Sequence, residues 1–325
     1  MALTRRTLVA AAVASPMLIR GQSVSAQTWP SGIIKIIVPF PPGGTVDPIA
    51  RMAQPGLQQR LGATIVIENR PGGSGSAGAA AVAKAPADGN TWLFVFDTHA
   101  VNPFLQNLPF DTEKDLDPVV LIGTAPNILA AHPSRSYGTF AELVAAAKAK
   151  PDTLTYASVG SGSVGHLTMV QLTKQAGIQM VHVPYRGGGP AMNDAIAGHV
   201  DLIIGSAALV MPQVGAKTVK PILQTGKSRI TTLPAVPTAI EGGFAGFESY
   251  AWWGVFAPAG TPPPVIERFG GALTETLREP AIAKQISDTL QVTMLLGGPE
   301  EERKFLKAQM ELWGPVVKAN NIKES

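Results

Sequence analysis

Residues 33–38 read I-I-K-I-I-V, a nearly unbroken apolar run of the kind buried inside a parallel sheet. The run ends in Pro39-Phe40-Pro41-Pro42-Gly43-Gly44-Thr45-Val46-Asp47-Pro48, and from Ile49 the spacing turns helical. Asp47-Pro48 predicts an N-cap followed by proline at the first helical position. The same grammar then repeats. A β-branched strand at 64–68 leads into the Gly/Ser-rich stretch 69–76, an alanine-rich helix through Ala85, a turn, and a strand at 91–96. Residues 102–118 are polar and turn-rich and read as a connection. Apolar runs follow at 119–122 and 128–131, with a helix at 139–149 that has Thr139 at its cap. Strands at 180–184, 201–204 and 221–224 are interleaved with a helix through Ala197, preceded by Arg186-Gly187-Gly188-Gly189-Pro190. Pro262 onward is helical and broken at Pro280. A last helix opens on Glu300-Glu301-Glu302, read as complementing its dipole, and carries Leu306, Met310, Trp313 and Val317 as a docking face.

This βαβ alternation predicts an α/β fold with mostly parallel sheets covered by helices. Two such clusters in tandem predict two lobes facing a ligand cleft. Residues 27–124 plus 236–325 form lobe 1 and residues 125–235 form lobe 2. The segments 233–238 and 249–258 are the route back to the first lobe, and Trp252-Trp253 on that route are expected to pack at the junction.

The most chemically suggestive stretch is Thr155 to Leu167, T-Y-A-S-V-G-S-G-S-V-G-H-L. A strand marked by Leu154, Tyr156 and Val159 enters a turn poor in side chains and leaves as a helix. Free N–H groups and the positive end of a helix dipole then meet in one place, an anion site. Ser158, Ser161 and Ser163 add uncharged donors. Gly160-x-Gly162-x-x-Gly165 matches a dinucleotide fingerprint, but Tyr185 and Arg186 stand where its acidic residue belongs. Ser161-x-Ser163-x-Gly165 resembles a nucleophile elbow whose nearest His is too close in the chain to serve as base. Gly226-Lys227-Ser228 lacks the upstream glycine of a phosphate loop. A tight packing turn is the bland alternative. Gly43 and Gly44 make a second cradle of the same kind, and Asp97-Thr98-His99 sits at a strand end where ligands lie in open sheets.

Composition narrows the function. Residues 1–26 read as an export signal, with twin-arginine-like Thr4-Arg5-Arg6-Thr7-Leu8, an apolar run too short to span a membrane, and the cleavage-like Val24-Ser25-Ala26. Without that segment's three arginines, Lys and Arg fall from 26 to 23, equal to the 23 Asp and Glu. The nominal excess of +3 therefore gives no argument for nucleic acid. There is no cysteine, and the five His show no metal-ligand spacing. No cofactor is expected.

Taken together, these motifs resemble the Bug-type solute receptors, the extracytoplasmic binding proteins of tripartite tricarboxylate transporters. The matching pieces are Pro39-Phe40-Pro41-Pro42-Gly43-Gly44 with Asp47 and Ala50-Arg51; Glu68-Asn69-Arg70-Pro71-Gly72; and Ala87-Asp88-Gly89. They continue with Tyr156-Ala157-Ser158-x-Gly160-x-Gly162, His166-Leu167, His182-Val183-Pro184-Tyr185-Arg186-Gly187 and Gly198-x-x-Asp201. Leu233-Pro234-x-Val236-Pro237-Thr238, Trp253-Gly254 and Ala257-Pro258-x-Gly260-Thr261-Pro262 complete them. The Gly72-Gly73-Ser74 turn departs from the more usual Pro-Gly-Ala.

The resemblance implies a two-lobed, type II periplasmic binding protein that closes like a flytrap on a small organic anion. It would act as a periplasmic, monomeric receptor with membrane transporter subunits as partners, or as a sensor. The expected ligand set is Phe40, Gly43, Gly44, Thr45, Asp47, Thr98, Ser158, Gly160, Ser161, Gly162, Ser163, His166, Arg186, Gly188 and Ser206. The alternative is a secreted enzyme acting on a small carboxylic acid with Asp47 and His166 in the cleft. A transcription regulator's effector-sensing half, the third class, would need a DNA-binding segment where the export signal stands.

Overall fold

The computed structural model describes residues 29–324, so the export signal expected at 1–26 lies outside the described residues. In chain order the elements are β1 (Ile34–Val38), α1 (Val46–Leu61), β2 (Ile65–Asn69), α2 (Ser76–Ala83), β3 (Thr91–Phe96), α3 (Thr98–Leu105) and β4 (Leu116–Ala131). Next come α4 (Phe140–Ala149), β5 (Thr155–Ser158), α5 (Val164–Ala176), β6 (Val181–Pro184), α6 (Gly188–Ala197), β7 (Leu202–Ser206), α7 (Ala207–Gly215) and β8 (Lys220–Gln224). The chain then returns through β9 (Tyr250–Pro258), α8 (Pro263–Leu277), α9 (Pro280–Leu290), β10 (Thr293–Gly297) and α10 (Pro299–Ala319).

The strands run β2-β1-β3-β9-β4-β7-β5-β6, with β10 and β8 also on β4. β1 lies parallel between β2 and β3, so every side chain of it except exposed Lys35 is buried. The result is a two-lobed α/β arrangement, as the alternation of strands and helices predicts.

β4 is shared by the two halves. From Leu116 to Pro126 it pairs with β9, and from Asn127 to Ala131 with β7. The sequence breaks this strand into two apolar runs because Gly123 and Pro126 read as punctuation. Pro126 is tolerated because it stands where the strand changes partners. The next N–H, that of Asn127, leaves the ladder and donates to Thr225 Oγ1 at 2.9 Å. That hydroxyl in turn donates to the Ser249 carbonyl at 2.6 Å. Both chain crossings between the halves are thus tied to one buried threonine.

The second half has its own core of Leu129, Phe140, Tyr156, Met169 and Ile204, on which Ala239, Phe244 and Phe247 also pack. Trp313 and Val317 of α10 dock on Val101 and Leu105 of α3 and on Val164 and Leu167 of α5. The last helix therefore touches both halves.

Three local expectations are corrected, and two elements were not expected. The N-cap of α1 is Thr45, not Asp47, and its side chain makes no capping bond. Part of the 102–118 connection is helix α3, short and interrupted by Pro103. Helix α7 and strand β10 carry no clear periodic signal, β10 being short and partly exposed. Of the acidic triplet, Glu302 is fully buried and accepts the N–H groups of Val119 and Val255 at 3.0 and 3.1 Å, filling a bulge between β4 and β9. Burial holds its carboxyl well above the usual carboxylate range.

Candidate functional site

The β1–α1 loop of the first half faces the openings of α6 and α7 in the second. A Cβ placed on Gly43 would lie 3.8 Å from Gly189 Cα, and one on Gly44 3.9 Å from the Gly188 nitrogen. The walls thus approach at their rim to within about the width of one added methyl group. Beneath it lies a cavity of about 360 Å³, solvent at its edge included. Phe40, Phe96, Val159 and Leu209 form apolar walls, and Thr45, Ser206 and the backbone at Gly44, Gly187 and Gly188 supply polar groups.

Three helices begin at this cavity. Their N-cap residues, Thr45 for α1, Gly187 for α6 and Ser206 for α7, make no side-chain capping bond. First-turn N–H groups have no intrahelical acceptor, so each such end offers donors and a partial positive charge. Ser206 is 2% exposed and its hydroxyl has no hydrogen-bond partner, a costly arrangement for a buried polar group. Thr45 Oγ1 accepts the indole N–H of Trp253 at 3.0 Å. Trp252 and Trp253 are themselves core residues, as expected at the junction.

Asp47 is the one ionisable side chain lining this cavity, and its charge is already matched. Arg51 grips it through Nε at 2.8 Å and Nη2 at 2.9 Å, and Asn69 Nδ2 adds a third donor at 2.9 Å.

The α5 opening is organised differently. Ser163 caps its helix, accepting the His166 N–H at 3.3 Å, and donates to the Gly160 carbonyl at 2.8 Å. Ser158 Oγ sits 2.8 Å from His182 Nε2 and 3.0 Å from the Gly160 carbonyl. Both serines are fully buried. The His166 ring stacks on His182 at 3.7 Å and accepts the Gly162 N–H through Nδ1 at 3.1 Å. Burial lowers the pKa of His166 to about 3 and of His182 to about 4, so neither carries a charge near neutral pH. Gly160, Gly162, Ser158, Ser163 and His166 line neither cavity. Val159 reaches the first cavity and Ser161 a second one.

That second cavity, at the cleft mouth, holds about 910 Å³ with its solvent and is lined by Phe40, the 72–75 turn, Ser161, Tyr185, Arg186 and Glu324. Thr98, another expected contact, is buried and spends its hydroxyl on the Ser74 carbonyl at 2.7 Å. Asp97 is buried beside it, accepting the Val164 N–H at 3.3 Å across the halves, and burial raises its pKa well above the ordinary value.

Among the residues that sequence reasoning missed are Phe96, Val159, Gly187 and Leu209 in the first cavity and Ser74 and Glu324 in the second. Gly187 adjoins the Gly188 that was named, whereas the others carry no local signal. Asp47 and His166 have separate partners and no hydrogen bond joins them. Among the described residues no cluster of three or more His, Asp or Glu could hold a metal ion. No described helix is long and apolar enough to cross a membrane.

A cleft between two α/β halves, with helix N-termini converging on a cavity free of cationic side chains, suits a small solute. The chain belongs to the tripartite tricarboxylate transporter receptor family, whose model matches residues 49–322. It is 32% identical over 305 residues to the protein BugT of Bordetella pertussis, covering 92% of this chain and 93% of that protein. Its fold is similar to that of R. palustris Rpa4515 with adipate, at 30% identity and TM-score 0.86, covering 91% and 99% of the two chains. MatC from Rhodopseudomonas palustris with bound malate is 29% identical at TM-score 0.82, covering 89% and 100%.

Proposed function

We propose that this receptor captures a small organic carboxylate in the first cavity and holds it without a counter-ion. The observation that carries this reading is Ser206. Its buried, unpartnered hydroxyl stands where three uncapped helix N-termini meet. Such a site solvates an anion with fixed dipoles, which avoids the desolvation cost of a buried ion pair. The paired state of Asp47 keeps its charge from opposing the ligand. Relatives of the same fold that hold adipate and malate support the ligand class. Delivery to the membrane subunits of a tripartite tricarboxylate-type transporter, from the periplasm and as a monomer, is part of this proposal, and membership of the receptor family supports the transporter partner.

We place the lobe boundaries, expected at 124/125 and 235/236, at the partner switch of β4 near Pro126–Asn127 and at the return near Ser249, a division the strand pairing supports. Residues 239–247 then travel with the second lobe.

A thermal-shift screen tests the reading. A ligand that binds only the folded state at one hundred times its Kd adds about 2.7 kcal/mol of apparent stability. Short mono- and dicarboxylates should raise the melting temperature of a 27–325 chain, while the matching alcohols and amines should not. Equal shifts from the alcohols would overturn it. The enzyme reading would instead require turnover of a bound acid.

A further inference from the structure

The mouth cavity contains a carboxylate of the protein's own. α10 packs its Trp313 and Val317 across α3 and α5, and Ile322 settles on the same cluster. Just beyond it, the Glu324 side chain enters the cleft. Ser74 Oγ stands 2.8 and 3.1 Å from the two Glu324 carboxylate oxygens. The same hydroxyl is 3.2 Å from the Ser161 carbonyl on the opposite half. Arg186 lines the same cavity and, among the described residues, takes part in no ion pair.

The turn that presents Ser74 is built for the purpose. Gly72, Gly73, Ser74 and Gly75 have φ of 143°, 49°, 49° and 94°, a run of positive φ that favours glycine at every place. Ser74 is the one residue there with a side chain, and it takes the left-handed conformation at a steric cost. Thr98 Oγ1 and Asn102 Nδ2 both donate to its carbonyl, at 2.7 and 3.1 Å, and fix the turn in place. The outcome is a hydroxyl aimed across the cleft.

We propose that the mouth cavity is a second carboxylate site, formed by Ser74 and Arg186, and that Glu324 is its intramolecular occupant. This rests on the reading of the first cavity as the inner carboxylate site. A dicarboxylate long enough to span both sites must displace Glu324 to seat its outer carboxylate, whereas a monocarboxylate in the inner cavity leaves it undisturbed. Glu324 therefore sets the receptor's preference by competition. If the tail holds the site nine-tenths of the time, the apparent affinity for a spanning dicarboxylate is reduced about tenfold.

Calorimetry with adipate and with hexanoate on the wild type, Glu324→Ala and Glu324→Gln tests the idea. Glu324 lies outside the cores, so both variants should keep the fold. Adipate should bind both variants up to about tenfold more tightly, and hexanoate should bind all three proteins equally. Hexanoate binding with unchanged adipate affinity would overturn the second site and leave the inner one standing. Equal gains for both acids would show a general obstruction of the entrance and overturn the proposal. Binding of neither acid to any of the proteins would overturn both readings.

Discussion

The indole N–H of Trp253 donates to Thr45 Oγ1 at 3.0 Å. An indole nitrogen can only donate, so the threonine must accept, and its own proton remains available. Because Thr45 lines the inner cavity, the proposed function makes that proton a donor for the anion, held in direction by a tryptophan that is 1% exposed. Thr45→Val keeps the shape, strands the indole N–H and removes the donor. It should cost about 1–3 kcal/mol of stability for the buried orphan. It should also weaken carboxylate binding tenfold or more, since a hydrogen bond to a charged group contributes roughly 1.5–3 kcal/mol. Thr45→Ser should restore much of both, as read by denaturant titration and calorimetry. Unchanged affinity in the valine variant would remove Thr45 from the ligand's contacts.

Gly162 illustrates how a glycine-rich loop misleads. From sequence, its lack of a Cβ suggests close approach of an anion. Its φ is +71°, and an added Cβ would fall 2.3 Å from Leu105 Cδ1. The space beside this glycine is therefore filled by a leucine of α3. Gly162→Ala should lower stability by about 1–3 kcal/mol through overpacking, with further strain from the positive φ. Adding Leu105→Ala should make the double variant more stable than the sum of the two single losses, and solute affinity per folded molecule should be unchanged. Strictly additive losses would contradict the contact.

The buried titratable groups give stability opposite slopes against pH. His99, His166 and His182 have pKa values lowered by burial from 6.5 to about 3, about 3 and about 4. Between those values and 6.5 the unfolded chain binds protons that the folded chain does not, so these groups make stability rise with pH. Asp97 runs the other way. Burial raises its pKa, so its contribution is complete below the unfolded value of 3.8 and is lost as pH rises through the folded value. Asp97→Asn is neutral at every pH and should hold its melting temperature on the alkaline side, where the wild type declines. Parallel curves for the two proteins from pH 5 to 9 would refute a protonated Asp97.

Thr225 holds both crossings between the lobes, and it, Asn127 and Ser249 are all nearly or fully buried. Thr225→Val leaves the Asn127 N–H and the Ser249 carbonyl without this partner. It should destabilise by at least about 1–3 kcal/mol. A loss below 0.5 kcal/mol, within the range of ordinary surface changes, would show that the tie is replaced by solvent.

Much of the fold is legible because buried parallel strands write themselves as apolar runs, as at 33–38 and 91–96. β4 is not, since a strand that changes partners needs a proline and a glycine where sequence reading expects a turn. The β1–α1 half of the site was visible in Pro39 to Asp47, whose prolines and glycines have no other evident purpose. The α5 opening carried the stronger motif, yet Ser163 and Ser158 spend their hydroxyls inside the loop. Which helix ends are capped internally depends on side-chain direction, and that is not written in residue type. The Ser74–Glu324 contact spans 250 residues and follows from where α10 docks, so no local pattern announces it.

Calorimetry with a monocarboxylate that engages only the inner cavity, comparing Ser206→Ala with Arg186→Gln, tests most directly whether the anion is held without a counter-ion. Ser206 offers a buried hydroxyl and no charge, while Arg186 offers a charge at the cleft mouth. Ser206→Ala should weaken binding about tenfold or more, and Arg186→Gln should change it by less than about threefold, because a hydrogen bond to a charged group contributes roughly 1.5–3 kcal/mol. A silent serine substitution together with loss of binding in the arginine variant would contradict a cradle built from neutral donors.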